Sequence, residues 1–431
     1  MDYLIIGSGG REHALCHAVA KTDKAFVAPG NPGMTDVAET VKLGSDFQSV
    51  ADFVGEKSIK TVIIGPENPL CAGMSDFLRD KGINVFGPSK KGAMLEGSKV
   101  YAKDFMKRYN IPTAQSQTFD NAKEAVEFVR KHDFPVVIKV DGLAAGKGVH
   151  IAEDLREAEI AINAILSENQ FGEAGRAVVI EEFLVGRELS MLVLFDNNTF
   201  VPLTPSRDHK QLEDGNKGPM TGGMGAFTPV PDLDSLTYNR IIAEVVKPST
   251  EGINKEGSLY RGVLYCGLML TKSGPKVLEY NCRFGDPEAE VVIPMIKTPF
   301  SEIADAVAEG QLSKINVEFS KGFAACVVLA SQGYPAKPVT GIKIEGMDQA
   351  RQLPNSILFA AGVGKSGDDF VTSGGRVLTC TGMGSTLRMA LGRAYAMTRV
   401  AKFQGMQMRG DIGGRYARGR TTILSLRRNQ K

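Results

Sequence analysis

The stretch VLEYNCRFGDPE, Val277 to Glu288, holds the densest set of side chains able to act on a charged substrate. Strand residues two apart face the same side, so Glu279, Asn281 and Arg283 are expected on one face and Leu278 and Tyr280 on the other. A carboxylate beside an amide oxygen is a hard, all-oxygen pair suited to Mg2+ or Mn2+ carrying nucleotide phosphates. Arg283 next to them suits bidentate capture of a carboxylate or phosphate. The plainer reading is an edge strand with a solvated polar face. Three polar positions in register followed by Gly285-Asp286-Pro287-Glu288 weigh against it.

Two upstream segments suit a nucleotide. VVIKVDGLAAGKGVHI, Val136 to Ile151, is not a P-loop, because Gly142 and Gly146 enclose only three residues and Gly148 follows Lys147 where a hydroxyl is required. What survives is Lys139 at a strand end and Lys147 on a glycine-rich hairpin whose amides can approach an anion. A solvated lysine on a turn is the alternative. In EEFLVGRE an apolar strand ends at Glu181-Glu182, and Glu188 follows the turn. Backbone groups around Phe183 and Leu184 would read adenine and a carboxylate would accept from ribose hydroxyls. The alternative is a solvated acidic edge.

The N-terminal IIGSGGREHAL, Ile5 to Leu15, raises a third question. A dinucleotide fingerprint needs Gly-x-Gly-x-x-Gly. Gly7 and Gly9 fit and Gly10 is extra, but Glu12 stands at the third glycine, a negative charge where a pyrophosphate seeks the positive helix end. A nicotinamide cofactor is therefore disfavoured, and another phosphate cradle or a tight turn remains. His13 and His17 have the i, i+4 spacing of a metal pair, yet Ala14 replaces the glutamate of the zincin pattern. They are expected to be helix-surface histidines.

These residues need elements to position them. Up to about residue 103 the chain alternates continuous apolar strands (Tyr3–Ile6, Ala25–Ala28, Thr61–Ile64, Asn84–Phe86) with helices. Several strands end in Gly/Pro-rich loops such as PGNPG and GPENPL. This predicts a parallel, Rossmann-like sheet covered on both faces, with its loops gathered along one crevice. A second α/β unit is expected over 104–316, with a small mobile subdomain near 118–185, and an α+β unit over 317–431. The long segment from Thr204 to Pro231 reads as a loop and Leu236–Asn254 as a helix.

At 431 residues the chain needs several domains. A net charge of +2 supplies no basic field for nucleic acid, and no apolar run nears the ~20 residues of a membrane span. No secretory leader is visible, and six scattered cysteines without a C-x-x-C pair suit a reducing cytoplasm.

Taken in order, Lys103, the Lys139–Lys147 hairpin, EEFLVGRE and the Glu-x-Asn strand follow ATP-grasp spacing. With GSGGREHAL, GPENPL, SRDHKQ, TGGMGAF, EYNCRFGDPE and MRGDIGGR, they closely resemble the phosphoribosylamine–glycine ligases from Tyr3 to about Arg415. The resemblance implies an ATP- and Mg2+- or Mn2+-dependent ligation of glycine to 5-phosphoribosylamine in purine biosynthesis, by a monomer. It implies nucleotide contacts from Lys103, Lys139, Gly142, Gly146, Lys147, Glu181, Glu182, Phe183, Leu184 and Glu188, and metal contacts from Glu279 and Asn281. Gly9, Gly10, Arg11 and Glu12, with Glu67 and Asn68, would hold phosphoribosylamine. Asp208, His209 and Lys210, with Thr221, Gly222 and Gly223, would close over a substrate, alongside Arg283 and Asp286. Arg283, Lys147, Asp208 and His209 would serve the chemistry, although His209 reads equally as an ordinary loop histidine.

Departures exist. Met220 replaces the usual asparagine of GPNTGG, LFAAGV (Leu358 to Val363) stands where FHAGT is common, and the first acidic metal ligand of other ATP-grasp enzymes falls on Gly267. A formate- or bicarbonate-using sister ligase is the main rival. A nicotinamide-dependent dehydrogenase leaves the later motifs unexplained.

Overall fold

The computed structural model describes residues 1–144, 148–168 and 170–417. β1 (Asp2–Gly7), β2 (Lys24–Pro29), β3 (Glu39–Thr40), β4 (Thr61–Ile64) and β5 (Val85–Phe86) form one parallel sheet in the order β3-β2-β1-β4-β5. Alternate strand residues feed two different cores, Leu4, Ile6, Val62 and Ile64 one of them and Tyr3, Ile5, Val27 and Ile63 the other. Burial on both faces is why these strands read as continuous apolar runs. The helix α1 (Gly10–Val19) follows β1, and α2 (Glu67–Ala72) follows β4.

α3 (Lys99–Arg108), capped by the Ser98 hydroxyl on the Tyr101 amide at 3.0 Å, leads into a small unit. Its antiparallel sheet combines β6 (Ser116–Phe119), β7 (Val136–Val140), β8 (Val149–Ala152) and β9 (Val178–Glu182) in the order β6-β9-β7-β8. Two helices, Ala122–Val129 and Leu155–Leu166, lie against it, and the unit encloses a hydrophobic core of its own around Ile138, Ile162 and Ile180. Next comes a second antiparallel sheet of β10 (Arg187–Phe195), β11 (Phe200–Pro202), β12 (Gly262–Thr271) and β13 (Gly274–Asn281), ordered β11-β10-β12-β13.

The segment 204–231 is not a plain loop. Arg207–Asp208 and Gly225–Thr228 are strands that join Phe323–Ala330, Arg376–Gly384 and Ser356–Ala360 in the last sheet, and Gln211–Glu213 pairs with Lys217–Met220 as a hairpin. The last sheet thus draws two strands from the chain's middle, so a cut near 317 in sequence does not separate it from what precedes. Polar and Gly/Pro-rich composition hid these strands. The helix expected over 236–254 runs from Ser235 to Lys255 and widens into a π turn at Ile242–Val246, just before Pro248. Pro248 has no N–H for an i→i−4 bond, and the wider turn absorbs that loss. Among the described residues no helix is long and apolar enough to cross a membrane.

Candidate active site

A cleft of about 900 Å3 opens between the parallel sheet's loops, the small β6–β9 unit, β12–β13 and the last sheet. At one end β9 delivers Glu181, which is 3% exposed. Its carboxylate lies 3.0 Å from Lys139 Nζ and 3.1 Å from Lys103 Nζ, so one buried anion orients lysines from β7 and α3. Lys139 also donates to the Leu278 carbonyl at 2.9 Å, and Lys103 to the Thr113 hydroxyl at 2.8 Å. Burial brings Lys103 down to about 8, with Lys139 reinforcing the shift and Glu181 opposing it. Lys139, Gly142, Glu181, Glu182, Phe183, Leu184 and Glu188 line the cleft, whereas Lys103 stands behind Glu181. The Glu182 carboxylate turns aside, accepting from the Gln115 amide at 3.0 Å and from Lys276 at 2.8 Å. Gly146 and Lys147 lie outside the described residues.

β13 departs from simple alternation. Gly267 pairs with Glu279 but Leu268 pairs with Val277, so Leu278 is the extra residue of a β-bulge. Leu278 therefore lines the cleft beside Glu279 and Asn281 instead of sharing the buried face of Tyr280, which corrects the alternation expected from sequence. Burial alone would raise the Glu279 carboxyl, but Lys99, Lys210, Lys139 and Arg283 outweigh it and hold it at about 2. Oriented so that its nitrogen donates to Glu96 at 3.1 Å and to the Tyr280 carbonyl at 3.0 Å, Asn281 leaves its oxygen free to accept. Gly267 lies against Glu279 and Tyr265, and a Cβ there would stand 3.2 Å from Glu279 Cγ. Among the described residues no group of three or more His, Cys, Asp or Glu is arranged to hold a metal alone. One carboxylate and one amide oxygen fit a hard divalent ion whose other ligands are phosphate oxygens and water.

The far end of the cleft is built from ion pairs. Arg283 lies 2.7 Å from Glu96 and 3.3 Å from Glu67 and donates to the Phe284 carbonyl at 3.1 Å, so its fork is already engaged and an incoming anion would share it. Asp208 pairs with Lys210 at 3.0 Å and Asp286 with Arg376 at 3.0 Å. Arg376 also donates to the carbonyls of Gly222 and Asp286, both at 2.7 Å, tying the TGGMG and GDPE loops together. Gly223 is another carbonyl partner of Arg376, at 3.4 Å. Glu288 accepts from Ser190 and Tyr265, each at 2.9 Å. Burial pushes Glu188 up to about 7, with Lys210 opposing the shift and Asp208, Glu279 and Glu288 adding to it. His209 lines the cleft but burial, helped by Arg409, lowers it to about 4, so it is neutral near pH 7. Thr221 donates to the Lys210 carbonyl at 2.6 Å and closes the hairpin between them.

In the N-terminal glycine loop the Glu12 carboxylate is engaged by groups of the chain itself. The Gly9 amide donates to Glu12 at 2.6 Å, Arg11 Nε to the same carboxylate at 2.5 Å, and a Cβ at Gly7 or Gly65 would collide with the Glu12 side chain. Gly10 faces Glu290, into which a Cβ would run. The loop therefore encloses the protein's own carboxylate at the start of α1. Arg11, Glu67, Thr221, Gly222 and Asp286 line the cleft, whereas Gly9, Gly10 and Glu12 do not, and Asn68 is exposed. His13 is not a surface residue. It is 1% exposed, accepts from the Ala360 amide at 2.8 Å and packs edge-on against Phe359.

Sequence reasoning passed over Glu96, Lys99 and Arg376. Glu96 and Lys99 sit in LEGSK, on either side of the Ser98 cap that opens α3, where a charged pair flanking a helix cap was a usable signal. Arg376 carries no local signal, since its partners lie 90 or more residues away.

A lysine-backed nucleotide end, a Glu-x-Asn strand and two antiparallel sheets facing each other across the cleft define an ATP-grasp enzyme. Residues 1–96, 97–289 and 324–415 match, in turn, the N domain, the ATP-grasp (A) domain and the C domain of phosphoribosylglycinamide synthetase, and the chain belongs to that family. It is 40% identical to the phosphoribosylamine–glycine ligase of Caldanaerobacter subterraneus subsp. tengcongensis, over 96% of this chain and 100% of that one. It is 43% identical to the enzyme of that name from Neisseria meningitidis serogroup A, over 96% and 98%. The crystal structure of the Thermotoga maritima phosphoribosylamine–glycine ligase superimposes with a TM-score of 0.80 at 39% identity, covering 96% of this chain and 100% of that one. The biotin carboxylase domain of Hydrogenobacter thermophilus 2-oxoglutarate carboxylase, solved with magnesium ADP and bicarbonate, shares the fold at a TM-score of 0.72 and 16% identity over 94% and 91%.

Proposed function

We propose that this chain joins glycine to 5-phosphoribosylamine with ATP as the driving reactant, giving glycinamide ribonucleotide, ADP and phosphate for purine biosynthesis. The observation that carries this reading is one cleft with three ends: paired lysines on Glu181, the Glu279–Asn281 strand, and the Asp208–Lys210 and Asp286–Arg376 pairs. Glycine's carboxylate oxygen attacks the γ-phosphorus, ADP leaves, and the amine nitrogen of phosphoribosylamine then attacks the acyl carbon and expels phosphate. No protein nucleophile is needed, because phosphoryl transfer asks chiefly for positioning and charge stabilisation.

Lys139, oriented by Glu181, stands where the triphosphate would lie, and Lys103 supports it from behind. Glu188, which also lines the cleft, is the carboxylate we assign to the ribose hydroxyls. Glu279 and Asn281 would hold a divalent ion, Mg2+ or Mn2+, which screens charge on the phosphates when bound. Lys210 and Arg376 hold positive charge at the acceptor end, with Asp208 and Asp286 fixing their geometry. We read the enzyme as a working monomer. Six free cysteines, five of them buried, support a reducing cytoplasm. We read residues 1–103, 104–316 and 317–431 as the substrate, nucleotide and completing domains, the last sharing its sheet with the strands Arg207–Asp208 and Gly225–Thr228 of the second.

The test is product analysis with ATP, a divalent ion, glycine and freshly prepared phosphoribosylamine. ADP and phosphate should form in step with glycinamide ribonucleotide, and only with glycine present. Equal turnover with formate or bicarbonate in place of glycine would mean a sister ligase.

A further inference from the structure

The late MRGDIGGR motif has no task in the scheme above. Arg409 is 1% exposed, the largest fully buried side chain among the described residues. Its guanidinium makes a fork to Asp411, at 2.7 and 2.8 Å, and donates to the Gln211 carbonyl at 3.1 Å. The neighbouring contacts run to the same place. The Gly410 amide donates to Asp214 at 2.7 Å, the Gly215 amide to Asp411 at 2.8 Å, and Arg207 Nη1 to the Tyr416 hydroxyl at 3.1 Å. From behind, the Tyr395 hydroxyl on the helix Leu387–Val400 donates to the Arg409 carbonyl at 3.0 Å and accepts from the Ile412 amide at 3.1 Å.

What is strapped is the outer part of the segment 207–221: Arg207 and Asp208 pair with Phe227 and Ala226 in the last sheet, whereas the hairpin beyond them has two paired positions, Gln211 with Met220 and Glu213 with Lys217. A two-stranded hairpin is marginal by itself in water, and residues 213–219 are exposed. Yet this segment carries Asp208, His209 and Lys210 into the cleft wall, with Gln211, Met220 and Thr221 beside them. A Cβ at Gly410 would stand 3.0 Å from the Asp214 carboxylate, so the close approach suits glycine there.

We propose that Arg409 is a positioning residue, and that the 409–416 segment is a strap that fixes the 207–221 hairpin so that the Asp208–Lys210 pair faces the acceptor end of the cleft. Arg409 touches no reactant. It acts through the Gln211 carbonyl and through Asp411, and it brings a part of the chain 190 and more residues distant to bear on the acceptor site. The kinetic consequence rests on the ligase reading, and the ordering of the hairpin does not.

Two variants test it: Arg409→Lys, which keeps the charge but loses the fork, and Asp214→Ala, which removes the Gly410 contact from an exposed position. Hydrogen exchange at Gly215 and Thr221 should rise about tenfold in both, the size of one lost charged hydrogen bond, with β12 and β13 unchanged. KM for glycine or phosphoribosylamine should rise by a similar factor while KM for ATP stays within about twofold. Unchanged hairpin exchange in Asp214→Ala overturns the strap even if Arg409→Lys does not fold. Faster exchange with all three KM values and kcat unchanged overturns the positioning role. A wild-type protein inactive with glycine would remove the ligase reading and leave the exchange result to judge the strap alone.

Discussion

Glu279 shows how much a single residue owes to its surroundings. Four cations, Lys99, Lys210, Lys139 and Arg283, overcome the burial that would otherwise protonate it, so it stays an anion ready for a metal ion. Glu279→Gln keeps the shape and removes the charge. Turnover should fall by roughly 10²–10³, the loss typical of one preorganised electrostatic group. The thermal midpoint should fall modestly at neutral pH, because four cations lose a shared counter-charge, while the fold survives because the side chain faces the cleft. A midpoint that drops steeply with unchanged activity per folded molecule would make Glu279 a structural residue. Glu12 teaches the opposite lesson. The family resemblance assigned it to substrate, and its position in the glycine loop gave no sign that the Gly9 amide and Arg11 would engage its carboxylate. The residue types were legible, and their partners were not.

Among the elements, the β6–β9 unit has a core of its own, and polar contacts tie it to the rest. Lys139 to the Leu278 carbonyl, Lys276 to Glu182 and the Ser98 hydroxyl to Asp141 at 2.7 Å are among them. Gly142 lies against Ala174 and Gly148 against Ala144 so closely that a Cβ would clash at either, which explains glycine at both. A unit with a separate core and polar ties is free to hinge as one body. Saturating magnesium ATP should slow hydrogen exchange at Leu143, Ala144 and Gly148, with Lys139 drawing the unit toward the phosphates. Exchange there that is unaffected by nucleotide would refute closure. The bulge at Leu278 also belongs to this scale. Period-two alternation placed Glu279 and Asn281 correctly on one face, but an inserted residue re-aims its neighbours, and nothing in VLEYN announces it.

At the scale of the whole molecule, Glu290 marks where the parts meet. It is fully buried, both carboxylate oxygens lack hydrogen-bond partners, Gly10 of α1 abuts it, and the Thr381 hydroxyl from the last sheet donates to its carbonyl at 3.0 Å. Burial, with Asp286 nearby, raises its carboxyl well above the ordinary value. A raised folded-state value means stability that is complete below the unfolded carboxyl's value of about 4.3 and is lost as pH climbs through the folded value. Glu290→Gln should therefore show a smaller fall in thermal midpoint than the parent as pH rises above about 5. Parallel curves for the two proteins would show that Glu290 does not titrate differently on folding. By itself the sequence determined the parallel N-terminal sheet and the strands that carry Glu181 and Glu279, because hydrophobic period and glycine placement are local properties of the chain. Only the tertiary structure decided which charges meet: Glu181 between two lysines, Arg283 between Glu67 and Glu96, Arg376 across two loops, and His13 under Ala360. Electrostatic and hydrogen-bond energies depend on distance and burial, and residues hundreds of positions apart acquire both only when the sheets and loops are assembled.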